Sequence, residues 1–440
     1  MTYDLIIIGG GPAGYLAAER AAEGGLSVLL FEKKALGGVC LNEGCIPTKT
    51  LLHSSKLYTQ AQNGEAFGVS SDGVKFNHQA VIKRKTKIVR TLVAGVSAKM
   101  KGAGVTVVAH TAEIIGGTAG DFSVSADGAT YSGRNILVAT GSEVLILPIP
   151  GLKEGLESGL ILTSREILDL AEPPKTLAVI GGGVIGLEMA AYFAAIGVSV
   201  TVIEMQSHIG GYLDTEIADM LQKELAAKGI KFMLNTKIEH IDEINADKIL
   251  LAIGRKPVSA GFGLESLNVH MERGAVVTDT NSRTNVPGIY AAGDVNGKSM
   301  LAHTAYREAE VAINHILGVK DEMRYDAIPA VIYTSPEVAG VGETEESAAA
   351  KGIDTTVKKL SMRYSGRFVA ETDRADGLCK LIMEKSTNRL IGAHIIGNYA
   401  SEIVQICVMM IESRRNVDYY KQVVFPHPTV CEIIREVLFS

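Results

Sequence analysis

The residues whose types and spacing best suit chemistry are two cysteines near one end of the chain and a histidine with a glutamate near the other. Cys40 and Cys45 stand five positions apart in GGVCLNEGCIPTKTLL, residues 37–52. Zinc normally takes four ligands, and no second Cys or His pair at ligand spacing lies nearby. His53 reads as a solvated or hydrogen-bonded helix side chain. In a regular α-helix five residues rise about 7.5 Å and turn about 140°, which separates the two Cα atoms by roughly 8 to 9 Å, beyond the disulfide limit of about 7 Å. A bond between the two therefore needs a distorted turn. Gly44 and Pro47 permit one, and a disulfide held in strained geometry is the more easily reduced. The pair reads as a redox-active disulfide, with a metal site and an inert pair as the alternatives.

FPHPTVCEIIREVLFS, residues 425–440, brings His427 and Glu432 together. A neutral histidine whose other nitrogen is held by a carboxylate is the usual general base near pH 7. Thr429 and Glu432 also spell Thr-x-x-Glu before an apolar run, a helix capping box. The residues alone leave both readings open. Cys431 reads as a small core-facing residue, with a reactive thiol beside His427 as the alternative. Cys379 and Cys407 lie in apolar runs and read as inert.

The elements that must position these groups begin with two similar segments. YDLIIIGGGPAGYLAAERAAEGGLSVLLFEK (3–33) and KTLAVIGGGVIGLEMAAYFAAIGVSVTVIEM (175–205) each read as strand, glycine turn, Ala-rich helix and second strand ending in glutamate. Gly9, Gly11 and Gly14 precede Glu32 as Gly181, Gly183 and Gly186 precede Glu204, with 18 residues from the third glycine to the acid in each case. This is the dinucleotide fingerprint, with the acid placed to accept bonds from ribose hydroxyls. Glu204 would repel a 2′-phosphate, and MQSH after it offers no Arg or Lys, so NAD is expected rather than NADP.

Composition limits the remaining possibilities. The chain has 440 residues, 47% apolar and 21% charged, which is ample for several globular domains. A net charge of −6, from 43 basic and 49 acidic residues, gives no footprint for nucleic acid. No apolar run reaches 18 residues, so no membrane span is expected. Five cysteines do not make a secreted disulfide framework, and MTYDLIIIGG enters an apolar strand directly, without a targeting segment. A cytoplasmic location is the expectation.

The cysteine stretch is similar to the active-site signature of the class I flavoprotein disulfide reductases, and within them to the dihydrolipoamide dehydrogenase branch, GGTCLNxGCIPSKxLL. The resemblance continues through ATGS (139–142), AIGRKP (252–257), YAAGDV (290–295), LAHTA (301–305), YTSPEVAGVG (333–342) and HPTVCE (427–432). It implies a tightly bound FAD as well as NAD, with electrons passing from a dihydrolipoyl arm through the cysteines and FAD to NAD. Cys45 matches the cysteine beside the flavin and Cys40 the one that exchanges with substrate. Lys49 matches the lysine near the flavin, and Glu188 the acid that pairs with it. His427 and Glu432 match the base dyad, which in the family serves the disulfide of the other subunit of a homodimer. Asp294 matches the Gly-Asp aspartate facing the ribityl and pyrophosphate region. Ala112, Thr140, Gly141 and Ala302 match further FAD contacts, and Gly254 and Arg255 join the NAD set.

The expected architecture is α/β, with two Rossmann-like doubly wound dinucleotide-binding domains and a C-terminal α+β dimerisation domain. FAD would be held by 1–143 and 258–324, NAD by 144–257, and the subunit interface by 325–440. Two departures stand out. The NAD domain lacks about two strands of a β-meander after GIKFML, and Val184 occupies a position where relatives carry a tyrosine lid. Other readings are another FAD-dependent disulfide or metal-ion reductase on the same scaffold, or a flavin-bearing sensing or structural subunit. The glutathione reductases differ in carrying Val-Pro-Lys-Lys where this chain has Ile-Pro-Thr-Lys. The mercuric reductases differ by a C-terminal Cys pair where Cys431 stands alone. The partner implied by the resemblance is a lipoyl domain or lipoyl carrier protein.

Overall fold

The computed structural model describes residues 2–373 and 376–440, which group into two units. The first comprises Met1–Pro47, Lys83–Ile146 and Gly254–Arg324. The strand Thr2–Ile8 lies at the centre of its sheet because both of its faces are apolar: Leu5, Ile6 and Ile7 are fully buried. It pairs in parallel with Val28–Phe31 on one side and Ala129–Val138 on the other. Thr106–Val108 extends the sheet past Val28–Phe31, and Ile289–Ala291 adds in parallel to Ala129–Val138. The helix Pro12–Glu23 crosses between the first two strands and turns Ala13, Ala17, Ala18 and Ala21 to the core. These small side chains let it lie close against Ala302–Ile316, whose Ala305, Ala309 and Ala312 are buried in the same cluster.

The second unit comprises Thr48–Ile82, Leu147–Ile253 and Tyr325–Ser440. It repeats the theme in an all-parallel sheet ordered Lys231–Met233, Ser199–Ile203, Thr176–Ile180, Lys248–Leu251, Ile161–Leu162. Its crossing helix is Val184–Ala195. Between Met233 and Lys248 there is only a short 3₁₀ turn, Ile241–Glu243, which accounts for the brevity seen in the sequence. The C-terminal part is a different construction, an antiparallel sheet ordered Ala330–Ile332, Val338–Gly342, Arg389–Ile396, Leu378–Glu384, Thr355–Ser361. The helices Ala400–Ser413 and Glu432–Phe439 bury Cys407, Ile433, Ile434 and Val437 against it. The fold is thus two doubly wound α/β domains followed by an α+β domain, as expected.

One buried cation ties the α/β and α+β parts of the second unit. Lys380 Nζ lies 3.0 Å from Asp214, 2.8 Å from Glu216 and 2.8 Å from Glu345. Asp214 also caps the helix Thr215–Ala227 through Ile217 N–H. No helix among the described residues is long and apolar enough to cross a membrane.

Candidate active site

The two cysteines are joined by a disulfide with a Cα separation of 4.7 Å, about half of what a continuous helix would impose. The helix breaks where the sequence allows it. Gly38–Glu43 ends at Gly44 (φ −148°, ψ −107°), and Cys45 opens a new helix, Cys45–Gln62. A Cβ on Gly44 would come within 3.0 Å of the Val39 carbonyl oxygen, so the break is tight enough to favour glycine. Pro47 sits in the first turn of the second helix, where its missing N–H has no intrahelical partner to lose. Asn42 locks the turn: its Nδ2 donates to the carbonyls of Leu36 at 3.0 Å and Gly38 at 2.9 Å.

The helix that begins at Cys45 places Lys49 one turn on. Its ammonium donates to both oxygens of Glu188, at 2.9 and 2.8 Å. Glu188 is not the exposed helix residue that its position alone would suggest; it is 4% exposed and also accepts from Tyr333 N–H at 2.9 Å. Lys49 lies 4.5 Å from the centre of the Tyr333 ring. Two bonds to the Glu188 carboxylate and the aromatic face beside the ammonium hold Lys49 in one place, and the Tyr333 N–H holds the carboxylate. Tyr333 was not singled out from the sequence, because its part is played by a backbone N–H and a ring face.

Both glycine loops have the same steric logic. A Cβ on Gly9 would lie 2.2 Å from Ala139 O, and one on Gly14 would lie 1.8 Å from Gly9 O. The corresponding distances are 2.4 Å from Gly181 to Ala252 O and 2.1 Å from Gly186 to Gly181 O. These four glycines are required by the protein itself. The middle ones are not: Gly11 would meet its nearest neighbour at 3.8 Å, and Gly183 meets nothing within 4 Å. Each is the N-cap of its helix without a side-chain cap bond and without an acidic residue in the first turn. Uncapped N–H groups beside a side-chain-free surface fit a dinucleotide pyrophosphate.

Glu32 accepts from Gly10 N–H at 2.8 Å and Lys34 N–H at 2.7 Å; Glu204 accepts from Gly182 N–H at 2.7 Å and Gln206 N–H at 2.8 Å. Each oxygen keeps a lone pair for a ribose hydroxyl. In the first unit Asp294 accepts from Ser142 Oγ, which in turn accepts from Arg255 Nε at 2.8 Å. Gly254 and Arg255, named from sequence with the NAD set, therefore stand in the first unit beside Asp294. The buried carboxylate of Glu308 fixes the Gly-Asp turn by accepting Gly293 N–H at 2.7 Å. Thr140 turns its hydroxyl to Val258 O, Gly141 is left-handed at φ +73°, Ala112 is buried, and Ala302 is the first residue of its helix.

At the other end of the second unit, His427 Nδ1 lies 2.8 Å from Glu432 Oε1. The second oxygen of the same carboxylate accepts Thr429 N–H at 2.8 Å. The histidine pair therefore forms and the capping box does not: the helix has Cys431 as its N-cap, without a side-chain cap bond, Glu432 is its first residue, and the Thr429 hydroxyl donates to Pro426 O. The Thr429 N–H holds the Glu432 carboxyl below its ordinary pKa, and His427 adds to the effect. An ionised Glu432 makes Nδ1 the donor and leaves Nε2 as the basic nitrogen, on a side chain that is 79% exposed. Cys431 is partly buried, with Sγ 3.0 Å from Thr429 Oγ1.

Comparison with known proteins places these features. Residues 3–309 match the family described as pyridine nucleotide-disulphide oxidoreductase, and residues 328–438 its dimerisation domain. The chain is similar to the dihydrolipoyl dehydrogenase of Chlamydia trachomatis, 35% identical with 99% of this chain and 96% of that one covered. Among solved structures it resembles LpdA from Mycobacterium tuberculosis, with TM-score 0.91, 29% identity, and 100% and 99% of the two chains covered. It also resembles the HOCl-induced flavoprotein disulfide reductase RclA from Escherichia coli, with TM-score 0.87, 28% identity and 99% of each chain covered.

Proposed function

Because the chain belongs to the pyridine nucleotide-disulphide oxidoreductase family, we propose that it is a dihydrolipoyl dehydrogenase, oxidising a protein-bound dihydrolipoyl arm and reducing NAD. The observation that carries this reading is the Cys40–Cys45 disulfide at a helix break whose next turn presents Lys49, clamped by Glu188. FAD would be held by residues 1–143 and 258–324, with Gly11, Glu32 and Asp294 as principal contacts. NAD would be held by 144–257 through Gly183 and Glu204. Bound FAD would supply the two-electron relay between the cysteine pair and NAD.

The protein's own groups do the sulfur chemistry. His427 Nε2 takes the proton of one dihydrolipoyl thiol while Glu432 holds Nδ1–H. The resulting thiolate attacks Cys40 Sγ, the Cys40–Cys45 bond breaks, and Cys45 leaves as thiolate. The second dihydrolipoyl thiol then attacks the first lipoyl sulfur, the cyclic disulfide closes, the mixed disulfide breaks, and Cys40 leaves as a thiol carrying the proton of the second thiol. Lys49 would hold a positive charge facing FAD, and Glu188 with Tyr333 keeps it in place.

We further propose that residues 325–440 form the interface of a homodimer in which the His427–Glu432 pair of one subunit serves the disulfide of the other. The partner would be a separate lipoyl domain or carrier protein, in the cytoplasm. The test is an anaerobic titration of the FAD-loaded protein with dihydrolipoamide, followed by NAD. A long-wavelength absorbance that NAD discharges with formation of NADH is expected. If dihydrolipoamide leaves the flavin unchanged while NADH reduces it, the second reading holds: a reductase of another disulfide, the activity in the name of the structurally similar RclA.

A further inference from the structure

The two glycine loops share more than their fingerprints. In the first unit Gly37 N–H returns to bond Gly10 O at 2.8 Å; Gly37 and Gly38 are both left-handed, at φ +98° and +59°, and Val39 and Cys40 follow. In the second unit Gly210 N–H returns to bond Gly182 O at 2.8 Å; Gly210 and Gly211 are both left-handed, at φ +78° and +62°, and Tyr212 and Leu213 follow. Gly10 and Gly182 are equivalent fingerprint positions, and each donates its own N–H to the strand-end glutamate. The chain beyond the second strand thus comes back to the glycine loop at the same point and turns there through the same glycine pair. In the first unit that turn delivers the disulfide. In the second it delivers Tyr212.

The loop that carries Tyr212 is firmly held. Ile209 is fully buried, Leu213 is 8% exposed, and the next residue, Asp214, is bonded to Lys380. Among the side chains of Ile209–Asp214, Tyr212 alone stands out, with 57% of its surface exposed. What sets this ring apart from other exposed ones is its place: the turn that carries it is bonded to Gly182 O, inside the glycine loop. Its surroundings also bear on its place: the flanking protein raises the pKa of the phenol, and the charge of Glu188 raises it further. Tyr212 is therefore within electrostatic reach of the helix that starts at the loop. That helix opens with Val184 directly after Gly183.

We propose that Tyr212 packs against the nicotinamide ring of NAD bound at residues 181–186. The inference rests on the reading of that loop and Glu204 as the NAD site. The end is assigned by the internal repeat and by charge: Glu204 marks the adenosine ribose, Tyr212 takes the place that Val39 holds next to Cys40 in the first unit, and it lies within reach of Glu188, the partner of Lys49. The ring of the tyrosine supplies contact area at low entropic cost, having few rotatable bonds.

The experiment compares the FAD-loaded parent, Tyr212→Ala and Tyr212→Phe by calorimetric titration with NAD and with ADP-ribose, which lacks nicotinamide. Tyr212→Ala should weaken NAD roughly ten-fold and leave ADP-ribose within about two-fold. Tyr212→Phe should bind both like the parent. Retained ADP-ribose binding also reports an intact glycine loop. Unchanged NAD binding in Tyr212→Ala, equal weakening of both ligands, or a Phe variant as weak as the Ala variant each overturns the proposal. A parent that binds neither ligand overturns the NAD reading itself, and the proposal with it.

Discussion

Within one fingerprint the structure separates a glycine that the protein needs from a glycine that a ligand needs, and two alanines test the difference. In Gly186→Ala the new Cβ falls 2.1 Å from Gly181 O. Carbon and oxygen that are not bonded do not approach within about 3 Å, so the helix Val184–Ala195 must move away from the strand end by about 1 Å. Overpacking of that kind costs about 1–3 kcal/mol. In Gly183→Ala the Cβ meets no protein atom within 4 Å and φ is −79°, an ordinary value for alanine. The cost there is only the poorer N-cap, about 0.5–1 kcal/mol. At about 2–4 °C per kcal/mol, Gly186→Ala should melt roughly 2–12 °C below the parent and Gly183→Ala no more than about 4 °C below it. Calorimetric titration should nevertheless show NAD binding at least about ten-fold weaker in both, because the Gly183 Cβ points where the pyrophosphate would approach the helix N-terminus. If Gly183→Ala binds NAD as the parent does, or if the two variants melt alike, the steric reasoning is refuted.

Replacing Cys45 by serine should abolish dihydrolipoamide oxidation while NADH still bleaches the flavin, since no sulfur bond remains to exchange; retained dithiol turnover would remove the disulfide from the mechanism. His427→Gln should slow the dithiol reaction by about 10²–10⁴-fold and leave reduction by NADH unaltered, which stopped-flow absorbance separates. Glu432 has a lowered pKa, so its bonds to Thr429 and His427 are at full strength above the ordinary carboxyl value near 4.3 and fail as pH falls through the lowered one. Protection of the Thr429 amide from hydrogen exchange should accordingly persist at pH 5 and fall away in more acid solution, and Glu432→Gln should lose that dependence. Lys380→Met should cost about 3–5 kcal/mol, seen as a lower melting temperature, because it leaves Asp214, 1% exposed, without its counter-charge.

Local patterns carried much of this protein in its sequence. Apolar strands, glycine turns and terminal glutamates at fixed offsets need only neighbouring residues to declare themselves, so the two α/β domains and the loops of Gly9–Gly14 and Gly181–Gly186 were legible. The helix break at Gly44 was legible for the same reason: two cysteines five residues apart cannot bond across a regular helix. Tertiary structure decided whatever depends on partners far along the chain. Glu188 and Lys49 are 139 residues apart, and nothing local says that the glutamate is buried, bidentate to the lysine and bonded to Tyr333 N–H. Glu432 has two oxygens, so it holds His427 and the Thr429 N–H at once, and the helix starts at Glu432 itself, later than the Thr-x-x-Glu spacing suggests. Arg255 joins Ser142 and Asp294 because a strand pairing, Arg255 with Val144, brings distant segments side by side. Periodicity and turn chemistry are properties of adjacent residues. Burial, counter-charges and the return of a loop to a particular carbonyl exist only once the chain has closed on itself.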